Sequence, residues 1–211
     1  QVFWFLGHAT TVIQTLIYII FSGARNYTKA IWAILLSYGI ILYKAHGTPK
    51  LNNIQMYVQR IMVDENTQYL LLALIWWTSK PIWVVLLPFA TFSVFHAANY
   101  MRTELIPTVI PSTSPFYVIS STKVIPLLTH FSQTYQAKCL RAVSYLEVFF
   151  ILPYLIVFVF TGKVSFMTPF IFVQFLRFRY QFSPMVRMFE FRSLCVLTGN
   201  GEFRPVKHSR S

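Results

Sequence analysis

Carboxylates are scarce in this chain. Six Asp and Glu stand against eighteen Lys and Arg in 211 residues, and the six are too scattered to form a paired-carboxylate acid/base site. Cysteine is nearly absent as well. Cys139 and Cys195 have no CxxC or His-rich neighbourhood, which argues against a disulfide framework and a zinc site. His8, His46, His130 and His208 show no ligand spacing among themselves. There is no Gly-rich phosphate loop, no GxSxG elbow and no HExxH. Neither a cofactor nor a metal is expected, and no enzymatic arrangement emerges.

Charge of any kind is limited to 11% of residues, whereas 55% are hydrophobic and 18% aromatic. A soluble domain of this size could not cover so much apolar surface, so the solvent for it is expected to be lipid. The net charge of +12 raises the question of nucleic acid. The basic residues sit beside apolar segments and form no separate basic domain, so attraction to anionic lipid is the simpler account and no nucleic acid is expected.

Six uncharged apolar stretches cover residues 2–21, 30–43, 66–79, 81–100, 148–162 and 164–176. If the chain crosses a membrane at each, fourteen basic residues fall on one side: Lys44, Lys50, Arg60, Arg102, Lys123, Lys138, Arg141 and the seven from Arg177 to Arg210. Only Arg25, Lys29, Lys80 and Lys163 fall on the other. Positive charge is retained in the cytoplasm during insertion, so both termini and both long loops are expected there. The first stretch lacks a basic n-region and a small-residue cleavage site, and reads as a retained helix rather than a signal peptide. The chain opens on Gln1, so further residues are expected before it.

Three stretches have only 14, 14 and 13 uncharged residues, short of the roughly 20 that span a bilayer. Either their flanks lengthen them or they act as wedges in one leaflet. Short turns are expected at Ser22 to Lys29, which contains an Asn26-Tyr27-Thr28 sequon, at Ser79-Lys80-Pro81 with Pro81 opening the next helix, and at Thr161-Gly162-Lys163 with Gly162 as C-cap. Trp76, Trp77 and Trp83 flank the second turn as an interfacial belt.

Amphipathic lead-ins precede the second and third hairpins. After Thr48-Pro49, apolar residues recur at Leu51, Ile54, Val58, Ile61 and Met62 with helical spacing. Leu128, Phe131, Tyr135 and Cys139 repeat the arrangement later, and a third candidate follows Pro184 with Met185, Met188, Phe189 and Val196. Both lead-ins are expected on the cytoplasmic surface. Residues 107–126, with four prolines and several Ser and Thr, read as an extended connection. The expected division is 1–45 first hairpin, 46–101 amphipathic helix plus second hairpin, 102–122 loop, 123–180 amphipathic helix plus third hairpin, and 181–211 basic tail.

Polar groups inside apolar helices are costly and draw attention. Glu147 heads the fifth stretch while His96 and Asn99 lie near the end of the fourth, at comparable depth. The sequence therefore suggests a cluster of the three, either a structural clamp or a polar site for a proton, ion or ligand. Arg60, Lys138, Arg141, Arg177, Arg179, Arg187 and Arg192 are candidates for contact with anionic lipid or a partner protein. Arginines interleaved with Phe170, Phe172, Phe175, Phe178 and Tyr180 read as a stop-transfer anchor.

The runs DENTQYLLLALIW from Asp64, FSVFHAANY from Phe92, LEVFFILP from Leu146 and PFIFVQFLRFRY from Pro169 resemble the transmembrane protein 33 family. The resemblance extends from about Asp64 to Arg192. It implies a multi-pass protein of the endoplasmic reticulum and nuclear envelope that helps organise curved membrane without catalysis. The partners it implies are reticulon-type membrane-shaping proteins, nuclear-pore membrane proteins and an import receptor. In fungal pore-associated members a C-terminal amphipathic region contributes to binding, and the tail beyond Arg192 departs from that pattern. An oligomer is compatible with all of this.

The expected fold is all-α: a polytopic integral membrane protein of about six short apolar helices in three hairpins, with cytoplasmic amphipathic helices. The expected function is membrane organisation and scaffolding. A small channel, transporter or lipid-binding subunit built on His96, Asn99 and Glu147 is the alternative, and an adaptor for membrane-bound complexes a third.

Overall fold

The computed structural model describes residues 1–49, 53–110 and 114–182. Ten α-helices cover them: α1 Val2–Phe21, α2 Ala24–His46, α3 Ile54–Val63, α4 Glu65–Thr78, α5 Leu86–Tyr100, α6 Ile106–Val109, α7 Pro115–Ile119, α8 Ile125–Leu146, α9 Leu152–Phe160 and α10 Met167–Phe182. No strand occurs among the described residues. Short π and 3-10 turns fuse several helices, so that residues Trp83–Val109 and Ser120–Phe160 each run as one rod. Each of the six apolar stretches forms a helix over most of its length, as an all-α membrane protein requires.

Four helical rods are long and apolar enough to cross a bilayer: Val2–Phe21, Ala24–His46, Trp83–Val109 and Ser120–Phe160. The second stretch, short by its uncharged run alone, is extended by its flanks to 23 residues. Helices α4 and α10 have 14 and 16 residues. At 1.5 Å per residue they reach only about 21 and 24 Å, against a hydrocarbon core of about 30 Å. Conversely, Ser120–Phe160 has 41 residues, about 62 Å of helix, and half of it must extend beyond the hydrocarbon.

Three hairpins order the bundle. The Tyr27 hydroxyl donates to the Trp76 carbonyl at 3.2 Å, tying the start of α2 to the end of α4. Lys80 Nζ donates to the Gly162 carbonyl at 3.4 Å. These bonds gather all three short turns at one end. At the opposite end Phe5 stacks on Tyr100 and His46 meets Asp64. Helix α4 lies at the centre, burying Tyr69, Leu72, Ala73 and Trp76 against α2, α5, α9 and α10.

Proline placement explains the π turns. The three, at Met101–Leu105, Ser120–Val124 and Glu147–Ile151, each end two residues before a proline: Pro107, Pro126 and Pro153. A helical proline has no N–H to donate and its ring collides with the carbonyl four residues back. Widening the preceding turn moves that carbonyl aside without breaking the rod. The described residues of 107–126 are largely helical and not the extended loop the prolines suggest, in α6, α7 and the π turn that follows α7. The same mechanism makes Glu147 a mid-rod residue instead of a helix head.

Other boundaries also differ from expectation. The first turn shrinks to Ser22-Gly23, where Ser22 takes the left-handed conformation, φ 51°. The Asn26-Tyr27-Thr28 sequon therefore lies in the first turns of α2, with Tyr27 buried, an unsuitable geometry for modification of an exposed loop. Helix α5 begins after a 3-10 turn at Trp83–Val85, not at Pro81. Gly162 does cap α9, with φ 66° and bonds from its own N–H and that of Lys163 back to Val159 and Phe158. Trp76 is buried in the core, while Trp77 and Trp83 are exposed and form what belt there is. Gly47, φ 67°, ends α2 and α3 starts at Ile54; residues 50–52, Leu51 among them, lie outside the described residues.

Helix α1 is inverted relative to a water-soluble helix. Gly7, His8, Thr11 and Thr15 face inward, whereas Val2, Phe3, Leu6, Ile13, Leu16 and Ile20 are exposed. Lipid supplies no hydrophobic drive for helix association, so small and polar residues form the contact. A Cβ on Gly7 would meet Ser37 Oγ at 2.2 Å and the Ala33 carbonyl at 3.2 Å. Glycine is what permits α1 and α2 to approach this closely.

Candidate functional site

Glu147 opens the third π turn and is 1% exposed. An isolated carboxylate there would be prohibitively desolvated, and two neighbours offset this. Arg179 of α10, itself buried, forms an ion pair with it. Tyr69 of α4 donates its hydroxyl to Glu147 Oε1 at 2.9 Å. The Arg179 guanidinium also lies 5.3 Å from the Tyr69 ring centroid, within cation–π range. Three elements that are remote in sequence are thus fastened at one buried point.

His96 and Asn99 do not join this group. His96 stacks on His8 of α1, ring centroids 4.8 Å apart, and both lie against Trp4. His8 Nδ1 shares a 2.9 Å hydrogen bond with Ser93 Oγ. Asn99 is exposed and accepts from Arg102 Nε and Nη2 at 3.0 and 2.7 Å. A cleft of about 450 Å³ reaches Asn99 between Trp4, Lys44, Tyr100 and Glu104. Neither His96 nor Glu147 lines it.

The two buried clusters are nevertheless connected by rings. His8 lies 6.3 Å from Tyr38, and Tyr38 lies 6.1 Å from Tyr69. The path from His96 to Glu147 accordingly runs through His8, Tyr38 and Tyr69, across α5, α1, α2 and α4. It is an aromatic ladder and not a continuous chain of hydrogen bonds. What this arrangement does chemically is neutralise and immobilise: the carboxylate is matched by a cation and a hydroxyl, as in a polar clamp.

Arg179 is the one expected surface contact that the structure corrects. Its neighbours make the reason plain: the α10 face carrying Phe172 and Phe175 packs into the core, and Arg179, four residues beyond Phe175, falls on the same face. Arg60, Lys138, Arg141 and Arg177 are exposed; Lys138 lies over the Tyr135 ring and Arg177 bonds to Gln174. Arg187, Arg192 and the amphipathic candidate after Pro184 lie outside the described residues. No group of three or more His, Cys, Asp or Glu that could hold a metal occurs among the described residues.

Tyr69, His8 and Ser93 were not apparent from sequence. The signal for His8 is the spacing of Gly7, His8, Thr11 and Thr15 on one helical face. A second missed contact joins His46 Nε2 to Asp64 Oδ2 at 2.7 Å. Asp64 also accepts from the Asn66 N–H and caps α4. Burial raises the Asp64 carboxyl, but the bonds from His46 and Asn66 outweigh it and hold the group below the ordinary carboxylate value.

Comparison with known proteins places the chain in a family. The family described as Transmembrane protein 33/Nucleoporin POM33 matches residues 1–203. Tetra-spanning protein 1 of Schizosaccharomyces pombe is 29% identical over 89% of this chain and 70% of its own length. Nucleoporin POM33 of Chaetomium thermophilum is 35% identical over 53% of this chain and 42% of its own length. Transmembrane protein 33 of Mus musculus is 26% identical over 75% of this chain and 59% of its own. No solved structure matches. The likeness extends upstream of Asp64 to the first residue, and on that whole-length match the chain belongs to the transmembrane protein 33/nucleoporin POM33 family.

Proposed function

We propose that the protein is a non-catalytic organiser of curved membrane at the endoplasmic reticulum and nuclear envelope, with both termini cytoplasmic. The observation that carries this reading is α3. Its Ile54, Val58 and Met62 are exposed on one side, Arg60 is exposed on the other, and none of its residues is buried. A ten-residue helix with that surface is stable where its apolar side enters an interface and its cation meets anionic headgroups. Helices α4 and α10 are too short to match the full hydrocarbon thickness and favour a locally thinned or curved bilayer. The names of two relatives, Nucleoporin POM33 and the Pore membrane protein of 33 kDa of Saccharomyces cerevisiae, support placement at the nuclear-pore membrane.

In this reading the hairpins and α3 displace lipid from the cytoplasmic leaflet, and the exposed basic residues hold anionic headgroups. Reticulon-type proteins, pore-membrane proteins or an import receptor would be held through the loops and tail. The neutralised state of Glu147 favours this role over a transport site. Reconstitution into liposomes tests it: density-dependent tubulation or preference for small vesicles is expected, and its absence at every protein density contradicts the proposal.

A further inference from the structure

A groove of about 590 Å³ runs along the outside of the bundle where α1, α5 and α8 meet. Its floor is made by Ala9, Ala97 and Ala98, and its walls include Phe5, Leu128 and Phe131. Short side chains between long ones leave the space open, and its surface is almost wholly apolar. The volume is that of a small-molecule site. Its walls belong to two of the long apolar rods and to α1, and an apolar lining of this kind suits an acyl chain.

A cation lies just beside the groove. Met101 and Leu128 line it, and the next residues on the same helices, Arg102 and Thr129, lie just outside the apolar lining and bond to each other, Arg102 Nη1 to Thr129 Oγ1 at 3.4 Å. Arg102 is further held by Asn99 Oδ1. Both partners are neutral, so the guanidinium is fixed in position while its charge stays unmatched by any carboxylate among the described residues. A planar guanidinium with N–H groups to spare is suited to a phosphate oxyanion.

We propose that this groove is a binding site for one anionic phospholipid, with an acyl chain along Ala9, Ala97 and Ala98 and its headgroup phosphate on Arg102. The charge complements the headgroup and the lining complements the chain. The site rests on the membrane-spanning helices and not on the curvature role, so either proposal can fail while the other stands.

The test is native mass spectrometry of the protein released from mixed micelles containing equal phosphatidylserine and phosphatidylcholine, each with one palmitoyl and one oleoyl chain. Wild type should retain one lipid with about fivefold preference for phosphatidylserine, the scale of one well-placed cation. Arg102→Gln should lose the preference while still retaining a lipid, and Arg102→Lys should keep part of it. Ala97→Leu, which fills the half-exposed floor, should remove the lipid with either headgroup while leaving the unfolding temperature near wild type. Equal retention of both lipids by wild type, or lipid retention untouched by Ala97→Leu, would overturn the proposal. So would a wild-type dimer that Ala97→Leu dissociates, since that result assigns the groove to a second copy of the chain.

Discussion

Glu147 and Arg179, 32 residues apart in sequence, form a buried ion pair that joins the π turn of the longest rod to α10. The pair lets a short helix lie against a long one without leaving a charge unmatched in the bundle. Tyr69 completes it from α4, the central helix. The third hairpin is by this means locked to the second.

Removing one partner should cost far more than removing both. Glu147→Gln or Arg179→Met alone leaves the other group buried without its counter-charge, a loss of about 3–5 kcal/mol in comparable pairs. The double variant should recover a large part of it. Thermal unfolding of all four proteins in detergent gives the coupling, and strictly additive effects would show that the pair is not a unit.

Close packing of α1 on α2 should depend on Gly7. Gly7→Ala places a Cβ 2.2 Å from Ser37 Oγ, and Ser37 is itself bonded to the Ala33 carbonyl at 2.9 Å. Overpacking of this kind costs about 1–3 kcal/mol. Adding Ser37→Ala should restore part of the unfolding temperature, because the nearest clash is with the hydroxyl. No rescue would place the strain in the backbone.

Acid should weaken the junction of α2, α3 and α4 through Asp64. Its folded value is depressed, so its contribution is complete above the unfolded value of about 3.9 and is lost as pH falls through the folded one. Asp64→Asn keeps an N-capping side chain but has no proton to gain. Its stability deficit relative to wild type should shrink as pH is lowered from 6 to 3. A deficit that stays constant over that range would contradict the assignment.

The three short turns should label from one side of the membrane. Their clustering through Tyr27–Trp76 and Lys80–Gly162 gives them a common end. Single cysteines at Asn26, Lys80 and Lys163, in a background with Cys139 and Cys195 replaced, should react together with an impermeant reagent from the lumen. Reaction from the cytoplasm at any of the three contradicts the expected orientation.

The hairpin order was legible because apolar runs and basic flanks are properties of single segments. So was α3, whose apolar residues recur at helical spacing. The π turns were not: Pro107, Pro126 and Pro153 announce an interruption of the helix, but whether the chain breaks or widens depends on neighbours such as α5 packed against α8. For the polar site, Glu147 was identifiable by its cost in lipid, yet its partner was not. Arg179 and Arg177 look alike in an alternating Phe/Arg run, and only the burial of Phe172 and Phe175 decides which one turns inward. His96 was visible for the same reason as Glu147, and its true partner His8 sat in a segment that read as uniformly apolar.

The exposed apolar face of α3 carries the central claim and can be altered without touching the bundle. Ile54→Asp with Val58→Asp should leave the unfolding temperature near wild type, since both side chains are about half exposed. The decisive measurement is electron microscopy of liposomes containing phosphatidylserine, reconstituted at rising protein density with wild type or this variant. Tubules or small vesicles that increase with wild-type density and are sharply reduced by the variant are expected; unchanged spherical liposomes at every wild-type density would contradict the account.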